Sequence, residues 1–341
     1  MRNEQSILEV LDAAAKRREA RRGFLRSAGL ATATVGGLAL LAACDDGESP
    51  DDDDVNKVPS TPVPPVLTLE QDVLNFALNL EYLEAQYYSF AVFGTGLQST
   101  LLTGTGTQGA VATSATAGPR AVNFTGEPLI GQYAREIAAD EIAHVAFLRT
   151  ALGSAAVSQP AINLNGDATG SFTAAARAAG IVTSTGTFDP YASPDNFLLG
   201  AFIFEDVGVT AYKGAITSIS NKVFLEAAAG IHAAEAYHAG LVRTVLYNRG
   251  QSNAALITNA GRISDARDSL DGATDLDQPI TTGTAANSFA GDANIVPADA
   301  NAIAFSRTPQ QVLRIAYLTA TAGTTSGGFF PSGVNGNIRA A

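Results

Sequence analysis

Glu141-Ile-Ala-His-Val-Ala-Phe-Leu-Arg-Thr-Ala-Leu152 and Glu235-Ala-Tyr-His-Ala-Gly-Leu-Val-Arg-Thr-Val-Leu246 are two copies of one sequence pattern. Glu, His, Arg, Thr and Leu recur at the same offsets in both stretches. In each copy the glutamate precedes the histidine by three residues, so a helix presents both side chains on one face. The chain has 3 histidines, and two of them lie in these copies. The repeat therefore predicts two similar helices with matching polar faces.

A second repeat is interleaved with the first. Leu80-Glu81 is followed by Tyr88, and Phe204-Glu205 is followed at the same spacing by Tyr212. The spacing between each glutamate and its tyrosine corresponds to about two helical turns, so the two side chains share a helix face. The order along the chain is therefore a single-Glu helix, a Glu-x-x-His helix, and then the same pair again.

Four carboxylates and two imidazoles that converge inside one helical bundle are the donor set of di-iron and di-manganese bundles. Carboxylate oxygens with two imidazole nitrogens suit Fe or Mn, and Zn is also compatible. We expect two divalent metal ions. A lone Glu-x-x-His arises often on exposed helices as a simple polar face, but two copies interleaved with two single glutamates are more specific. The predicted metal ligands are Glu81, Glu141, His144, Glu205, Glu235 and His238.

The charge on Glu205 supports this prediction. The surrounding helix, 196–212, is apolar on every face and is expected to be buried. An unpaired ionised carboxylate there costs several kcal/mol, roughly, even after relaxation of the protein. The helix offers no basic residue before Lys213, so Glu205 has to be protonated, paired with another element or bound to a cation.

Other polar residues near the repeats have open roles. Tyr88 and Tyr212 either hydrogen-bond a ligand carboxylate, take part in electron transfer, or are ordinary core tyrosines. Glu84 and Glu136 have no counterpart in the other half, so we expect them to be solvated or to lie just outside the ligand set. Asp140 is expected at the surface. The third histidine, His232, fits the rim of the site better than a supporting role within it.

The residues Glu81-Tyr-Leu-Glu-Ala-Gln-Tyr-Tyr88 and the two Glu-x-x-His copies resemble the ferritin-like domain of the desiccation-associated type. The resemblance covers roughly residues 68–250 and implies a ferritin-like four-helix bundle with the same six ligands. The wider superfamily includes ferroxidases, rubrerythrins and manganese catalases, and many desiccation-associated members are exported bacterial proteins. The resemblance therefore implies a fold more firmly than it implies a reaction.

The composition fits an all-α protein with loop-rich segments. Hydrophobic residues make up 46% of the 341 residues, charged residues 16%, and there are 33 glycines and no tryptophan. Capping and stop signals predict four long helices, at 68–94, 128–153, 193–212 and 221–247, with a long crossover between the second and third. We expect a bundle over 68–250 and a C-terminal extension, 251–341, packed on it, with helical signal at 260–270 and 309–318.

The N-terminal segment resembles an export address. Arg21-Arg-Gly-Phe-Leu25 is similar to a twin-arginine motif, and Leu41-Ala-Ala-Cys44 is similar to a lipobox that closes an apolar run. We expect residues 1–43 to be a signal, Cys44 to be lipidated, and the acidic, Pro-rich 44–67 to be a tether. The expected location is the periplasm or cell envelope, membrane-anchored through Cys44. The alternatives are an uncleaved anchor or a chance cysteine.

The sequence leaves two functions open. One is an oxidoreductase whose metal pair acts on O2 or hydrogen peroxide, as a ferroxidase or a catalase does. The other is a non-catalytic envelope or stress protein that keeps the bundle as a scaffold, and whether the protein is an enzyme is not decided. Iron storage in a shell fits poorly with an anchored N-terminus, and a homo-oligomer is left open. The net charge of −12 argues against nucleic acid as a partner.

Overall fold

A computed structural model of the protein describes residues 68–282 and 291–341. The predicted signal, Cys44 and the tether lie outside the described residues. Within them the fold is all-α, as predicted, with one small antiparallel pair of strands, β1 (Thr281–Thr282) and β2 (Asp292–Ala293). The helices are α1 Leu69–Phe93, α2 Pro128–Leu152, α3 Ser171–Ala178, α4 Pro194–Ile216, α5 Lys222–Gly250, α6 Ala254–Asp271 and α7 Pro309–Ala316, with 3-10 turns at Ser99–Leu101 and Gly153–Ala155.

The helices begin where the sequence provides caps. Thr68 accepts a hydrogen bond from the backbone of Gln71, and the Gln71 side chain accepts one in return, which forms a capping box at the start of α1. Ser193 caps α4 ahead of Pro194, and Asn221 caps α5. Helix α1 ends at Gly94, whose φ of 71° is the left-handed conformation that glycine adopts readily. These starts and stops confirm the predicted helices of the bundle.

The four long helices form two hairpins that pack on each other. Helix α1 packs against α2, α4 packs against α5, and the hairpins meet through the α1–α4 and α2–α5 pairs. The segment from 153 to 193 connects α2 to α4 and contains α3. Helix α4 is buried along its length from Phe197 to Tyr212, as its apolar sequence predicts. The single-Glu helices and the Glu-x-x-His helices are thereby brought together in one core.

The C-terminal helices differ slightly from the prediction. Helix α6 begins at Ala254 rather than near residue 260, and Asn253 before it makes no side-chain cap. Asparagine is a favoured N-cap residue, but the backbone here does not bring the Asn253 side chain into a capping hydrogen bond. Helix α7 ends at Ala316 rather than Leu318, because Leu318 has a φ of 54° and cannot continue a right-handed helix.

A buried ionic network joins the C-terminal residues to the bundle. Asp206 of α4 accepts hydrogen bonds from Arg243 of α5 at 2.7 Å and Arg267 of α6 at 2.9 Å. Arg267 also pairs with Asp277 at 2.6 Å. The network is completed by Arg307, which pairs with Asp277 and, at 2.6 Å, with Asp271. Because all six side chains are buried, each charge depends on its partners for the stabilisation that water no longer provides.

No helix in 68–282 and 291–341 has both the length and the hydropathy needed to cross a bilayer.

Candidate metal centre

The six side chains predicted as ligands lie in one cluster between the four long helices. Helix α1 contributes Glu81, α2 contributes Glu141 and His144, α4 contributes Glu205, and α5 contributes Glu235 and His238. The four glutamates are no more than 1% exposed, and His238 is 5% exposed. The side chain of His144 is 12% exposed, so it is the member of the set that lies nearest to solvent.

Four of these side chains form a first group around His144. Its Nδ1 lies 3.2 Å from Oε2 of Glu81 and 3.4 Å from Oε2 of Glu141. The same nitrogen lies 3.8 Å from Oε1 of Glu235. One donor atom from each of the four residues falls within 4.8 Å of the others, which is a spacing that allows all four to hold a single ion.

A second group surrounds His238 and shares members with the first. Glu205, Glu235 and His238 also present donor atoms within 4.8 Å of one another. Nδ1 of His238 lies 3.6 Å from Oε2 of Glu205 and 3.0 Å from Oε1 of Glu141. Glu141 therefore directs one oxygen to each histidine, and Glu235 belongs to both groups. The two imidazole rings are 6.3 Å apart, so the groups are adjacent and joined by shared carboxylates.

Most of the donor atoms lie close together without hydrogen bonds between them, as ligands of a common ion do. Nδ1 of His238 and Oε1 of Glu141 are 3.0 Å apart, yet neither has a hydrogen-bond partner of acceptable geometry among the described residues. The same holds for Oε2 of Glu81, Oε2 of Glu205 and both oxygens of Glu235. Buried oxygens are almost always hydrogen-bonded, so this concentration of exceptions calls for a cation between them. Carboxylate and imidazole donors fit Fe or Mn.

The pKa values show that burial disfavours the charged form of Glu81, Glu205 and Glu235 when no cation neutralises them. Burial raises the pKa of Glu81 to about 7 and that of Glu205 to about 8, and it also raises the pKa of Glu235 well above its usual value. Burial acts to lower the pKa of His144, but the Glu81 and Glu141 carboxylates outweigh it and raise that pKa to about 11. Protons bound to these side chains thus offset the negative charge that metal ions would otherwise neutralise. A metal ion has to displace them, so metal affinity falls as the pH is lowered.

Two tyrosines connect the hairpins by reciprocal hydrogen bonds. The Tyr88 hydroxyl on α1 donates to Oε1 of Glu205 on α4, and the Tyr212 hydroxyl on α4 donates to Oε1 of Glu81 on α1. Of the roles considered for these tyrosines, the structure contains the hydrogen bond to a cluster carboxylate. Each bond occupies one oxygen of its glutamate and leaves the other directed at the cluster.

Replacing Tyr88 or Tyr212 by Phe is expected to weaken metal binding by about 10-fold, because hydrogen bonds that orient a ligand carboxylate contribute about 10- to 100-fold to metal affinity. The measurement is a metal titration followed by calorimetry. Tyr87→Phe is the matched control, because Tyr87 is also buried on α1 but donates to the carbonyl of Phe197 at 2.8 Å. Equal weakening in the control would show that the effect comes from packing, not from orientation of Glu205 and Glu81.

Of the two positions expected for Glu84, solvated or just outside the ligand set, the structure shows the second. Glu84 is not solvated, because it is only 6% exposed and lies one turn from Glu81 on the same face of α1. Burial raises its pKa, as do the nearby carboxylates of Glu141 and Glu205. Its counterpart in the repeat, Gly208, has no side chain, and a Cβ built there would meet Glu235 Oε2 at 2.4 Å.

The remaining predicted neighbours differ in exposure and in their contacts with the cluster. Glu136 is exposed. Asp140 has a half-exposed side chain, but it contacts Nε2 of His238 at 3.3 Å, an interaction that the sequence did not reveal because the partners are on different helices. His232 is partly buried and belongs to neither donor group. Burial and the charge of Lys213 lower the pKa of His232.

Comparison with known proteins supports a metal site in this cluster. Residues 69–248 match the family described as a ferritin-like domain. Desiccation-related protein PCC13-62 of Craterostigma plantagineum is 29% identical over 253 residues, covering 71% of this chain and 75% of its own. Ferritin-like catalase Nec2 of Nesocodon mauritianus is 25% identical over 276 residues, covering 78% of this chain and 84% of its own. No solved structure matches significantly.

Proposed function

Because this chain belongs to the ferritin-like domain family, we propose that the cluster binds two metal ions, Fe or Mn, and disproportionates hydrogen peroxide. The observation that carries this proposal is that Glu235 belongs to both of two adjacent donor groups, while Glu141 directs one oxygen to each histidine. The name of the relative from Nesocodon mauritianus, a ferritin-like catalase, favours peroxide over other oxidants. The reaction is the conversion of two molecules of hydrogen peroxide into two of water and one of dioxygen.

Two metal ions held by these residues would supply two-electron redox chemistry: one peroxide would take up two electrons and two protons to give two waters, and another would return them as it becomes dioxygen. The side chains of this chain provide the setting. Glu141 and Glu235 span the two groups, His144 and His238 provide one nitrogen to each, and Tyr88 and Tyr212 hold the outer glutamates in place. Burial of the cluster excludes bulk water and strengthens these electrostatic interactions.

We propose further, from the sequence of 1–67 alone, that the protein is exported by the twin-arginine route and anchored in the cell envelope through lipidated Cys44. Twin-arginine systems carry proteins across already folded. A protein that binds its metal in the cytoplasm would benefit from that route, because the ions would be enclosed before export.

The test uses the full chain expressed with its N-terminal segment intact. We expect about two ions of Fe or Mn per chain by elemental analysis, and dioxygen released at half the rate of peroxide loss. Mass spectrometry of the same preparation reports whether Cys44 carries lipid. Absence of both metals would contradict the proposal, and oxidation of Fe(II) without dioxygen release would favour ferroxidase chemistry instead.

A second candidate is a non-catalytic scaffold in the cell envelope, which the name of the relative from Craterostigma plantagineum favours. In that case the metal would only stabilise the bundle. Protein with two ions per chain, a raised melting temperature and no reaction with peroxide or dioxygen would support the scaffold and exclude the enzyme.

A further inference from the structure

The two single-Glu helices enclose a cavity between them. The repeat pairs residues of α1 with residues of α4, and three such pairs line one cavity of about 30 Å³. This volume has room for one or two water-sized molecules. The pairs are Leu80 with Phe204, Leu83 with Val207, and Glu84 with Gly208. The cavity therefore lies where the two halves of the repeat face each other.

The C-terminal residues form the other wall of the cavity. Ile315 and Ala316 of α7, together with Phe329, line it and are buried. Leu80 is the lining residue that is partly exposed, so it marks the mouth. A wall of aliphatic and aromatic side chains disfavours ions, which would lose their hydration there without gaining a partner.

The inner end of the cavity adjoins the metal cluster. Gly208 lines the cavity, and a Cβ built on it would lie 2.4 Å from Oε2 of Glu235, the carboxylate that both donor groups share. The same Cβ would lie 3.6 Å from Oε1 of Glu84. Oε2 of Glu235 thus packs against the bare backbone of Gly208, and a larger residue at this position would displace it. The six cluster residues do not themselves line the cavity, and the cavity and the cluster meet at Gly208.

Glu84 is the charged residue in this otherwise apolar lining. It is 6% exposed, and none of the hydrogen bonds or ion pairs among residues 68–282 and 291–341 involves its side chain. A buried carboxyl group without a protein partner is costly, and such groups are usually satisfied by a bound molecule. Glu84 and Gly208 both line the cavity, so a small molecule inside it would lie beside the Glu84 carboxyl group.

We propose that this cavity is the route by which hydrogen peroxide reaches the metal cluster, with the Glu84 carboxyl group accepting a hydrogen bond from the incoming peroxide. The proposal rests on the proposed function and names the substrate class that its site admits: small, uncharged and able to donate hydrogen bonds. The size of the cavity excludes larger organic peroxides. The C-terminal residues then have a role of their own, because α7 and Phe329 shape the passage.

The first test fills the wall of the cavity. Ala316→Met places a longer side chain into it, and Gln310→Met is the matched control, because Gln310 is exposed on the same helix. Protein loaded with Fe(II) is mixed with nitric oxide, a small neutral probe whose binding is read by electron paramagnetic resonance, or with hydrogen peroxide. We expect Ala316→Met to slow both reactions by about 10-fold at unchanged iron content, and the control to react as the wild type does.

The second test separates the passage from the carboxyl group. Glu84→Leu removes the hydrogen-bond acceptor, and Glu84→Gln retains one. We expect Glu84→Leu to slow the reaction with peroxide by about 10-fold and to leave nitric oxide binding unchanged, with Glu84→Gln restoring most of the peroxide rate. Equal slowing of both probes in Glu84→Leu would contradict the hydrogen bond to peroxide.

Two further measurements keep the proposal testable. Leu80→Ala widens the mouth of the cavity, and we expect it to speed nitric oxide binding about 2- to 5-fold. This test does not depend on whether Ala316→Met folds. Crystals under xenon pressure should show xenon beside Phe329 and Ile315 whether or not metal is bound. An empty cavity under xenon, or wild-type rates in Ala316→Met, would overturn the proposal. Failure of the wild type to bind iron or to consume peroxide would overturn the proposed function, and xenon would still report on the cavity.

Discussion

Glu235→Gln is expected to reduce bound metal from about two ions per chain to one or fewer and to abolish turnover of peroxide. Glu235 is the residue common to both donor groups, and its two oxygens have no hydrogen-bond partner among the described residues. Gln has the same shape but offers a single neutral oxygen. Affinity for at least one ion should therefore fall by more than about 100-fold, a larger effect than the loss of a supporting hydrogen bond.

The stability of this variant gives a second, independent result. Burial raises the pKa of Glu235 well above its usual value, which favours the protonated carboxyl group in the metal-free protein. Gln replaces a protonated carboxyl group closely, and we expect the metal-free unfolding free energy to change by less than about 1 kcal/mol. With metal at about 1,000 times its dissociation constant, the wild type gains roughly 4 kcal/mol per ion, and the variant loses at least one such gain.

Elemental analysis and calorimetry, with and without metal, measure both effects. Glu136→Gln is the matched control, because Glu136 is exposed on α2 and the substitution makes the same chemical change outside the cluster. Two ions still bound to Glu235→Gln would show that Glu235 is not shared between them. A large loss of stability in the metal-free variant would show that Glu235 is structural.

Arg307→Met is expected to destabilise the protein by about 3–5 kcal/mol, the cost of breaking a buried ion pair from one side. The Arg307 guanidinium is fully buried and donates to Asp271, Asp277 and the Thr210 hydroxyl. Without it, Asp271 loses its ion-pair partner and Asp277 keeps only Arg267, and both aspartates are buried. The melting temperature should fall by roughly 10 °C at fixed metal concentration.

The control for this variant is Arg339→Met, because Arg339 is exposed, and its effect should stay within about 0.5 kcal/mol. Thermal unfolding followed by circular dichroism measures both. A loss in Arg307→Met no larger than that in the control would mean that water enters the network and replaces the arginine. Metal content of the folded variant should be unchanged, because Arg307 contacts none of the six cluster residues.

Much of the bundle could be predicted because its signals are local. Thr68 with Gln71, and Ser193 with Pro194, mark helix starts within four residues of sequence. The six cluster residues were found because they repeat at equal offsets, and the structure brings all six together. Periodicity reports which side chains share a helix face, and here each of the four faces is directed at the same core.

The features that were missed depend on contacts between distant segments. Glu84 is buried among residues of α4 and α7, such as Gly208 and Ile315, and none of these residues alone indicates this. The network of Arg243, Arg267 and Arg307 with three aspartates joins α4, α5, α6 and two loops, with no period that would reveal it. Helix α6 begins earlier than predicted, after Asn253, whose side chain makes no capping hydrogen bond.

The pairing of Glu84 with Gly208 has a consequence for how such a centre can be assembled. Each hairpin carries half of the donor set, so a chain of half this length would complete an equivalent centre by associating with a second copy of itself. In that symmetric dimer, one position would have to be the same residue on both sides of the axis. The position would hold either two facing glutamates or two facing glycines, never one of each. Fusing the halves into a single polypeptide allows the two positions to diverge. A passage with a glutamate on one side and a glycine on the other can then be encoded, which two identical half-chains cannot do.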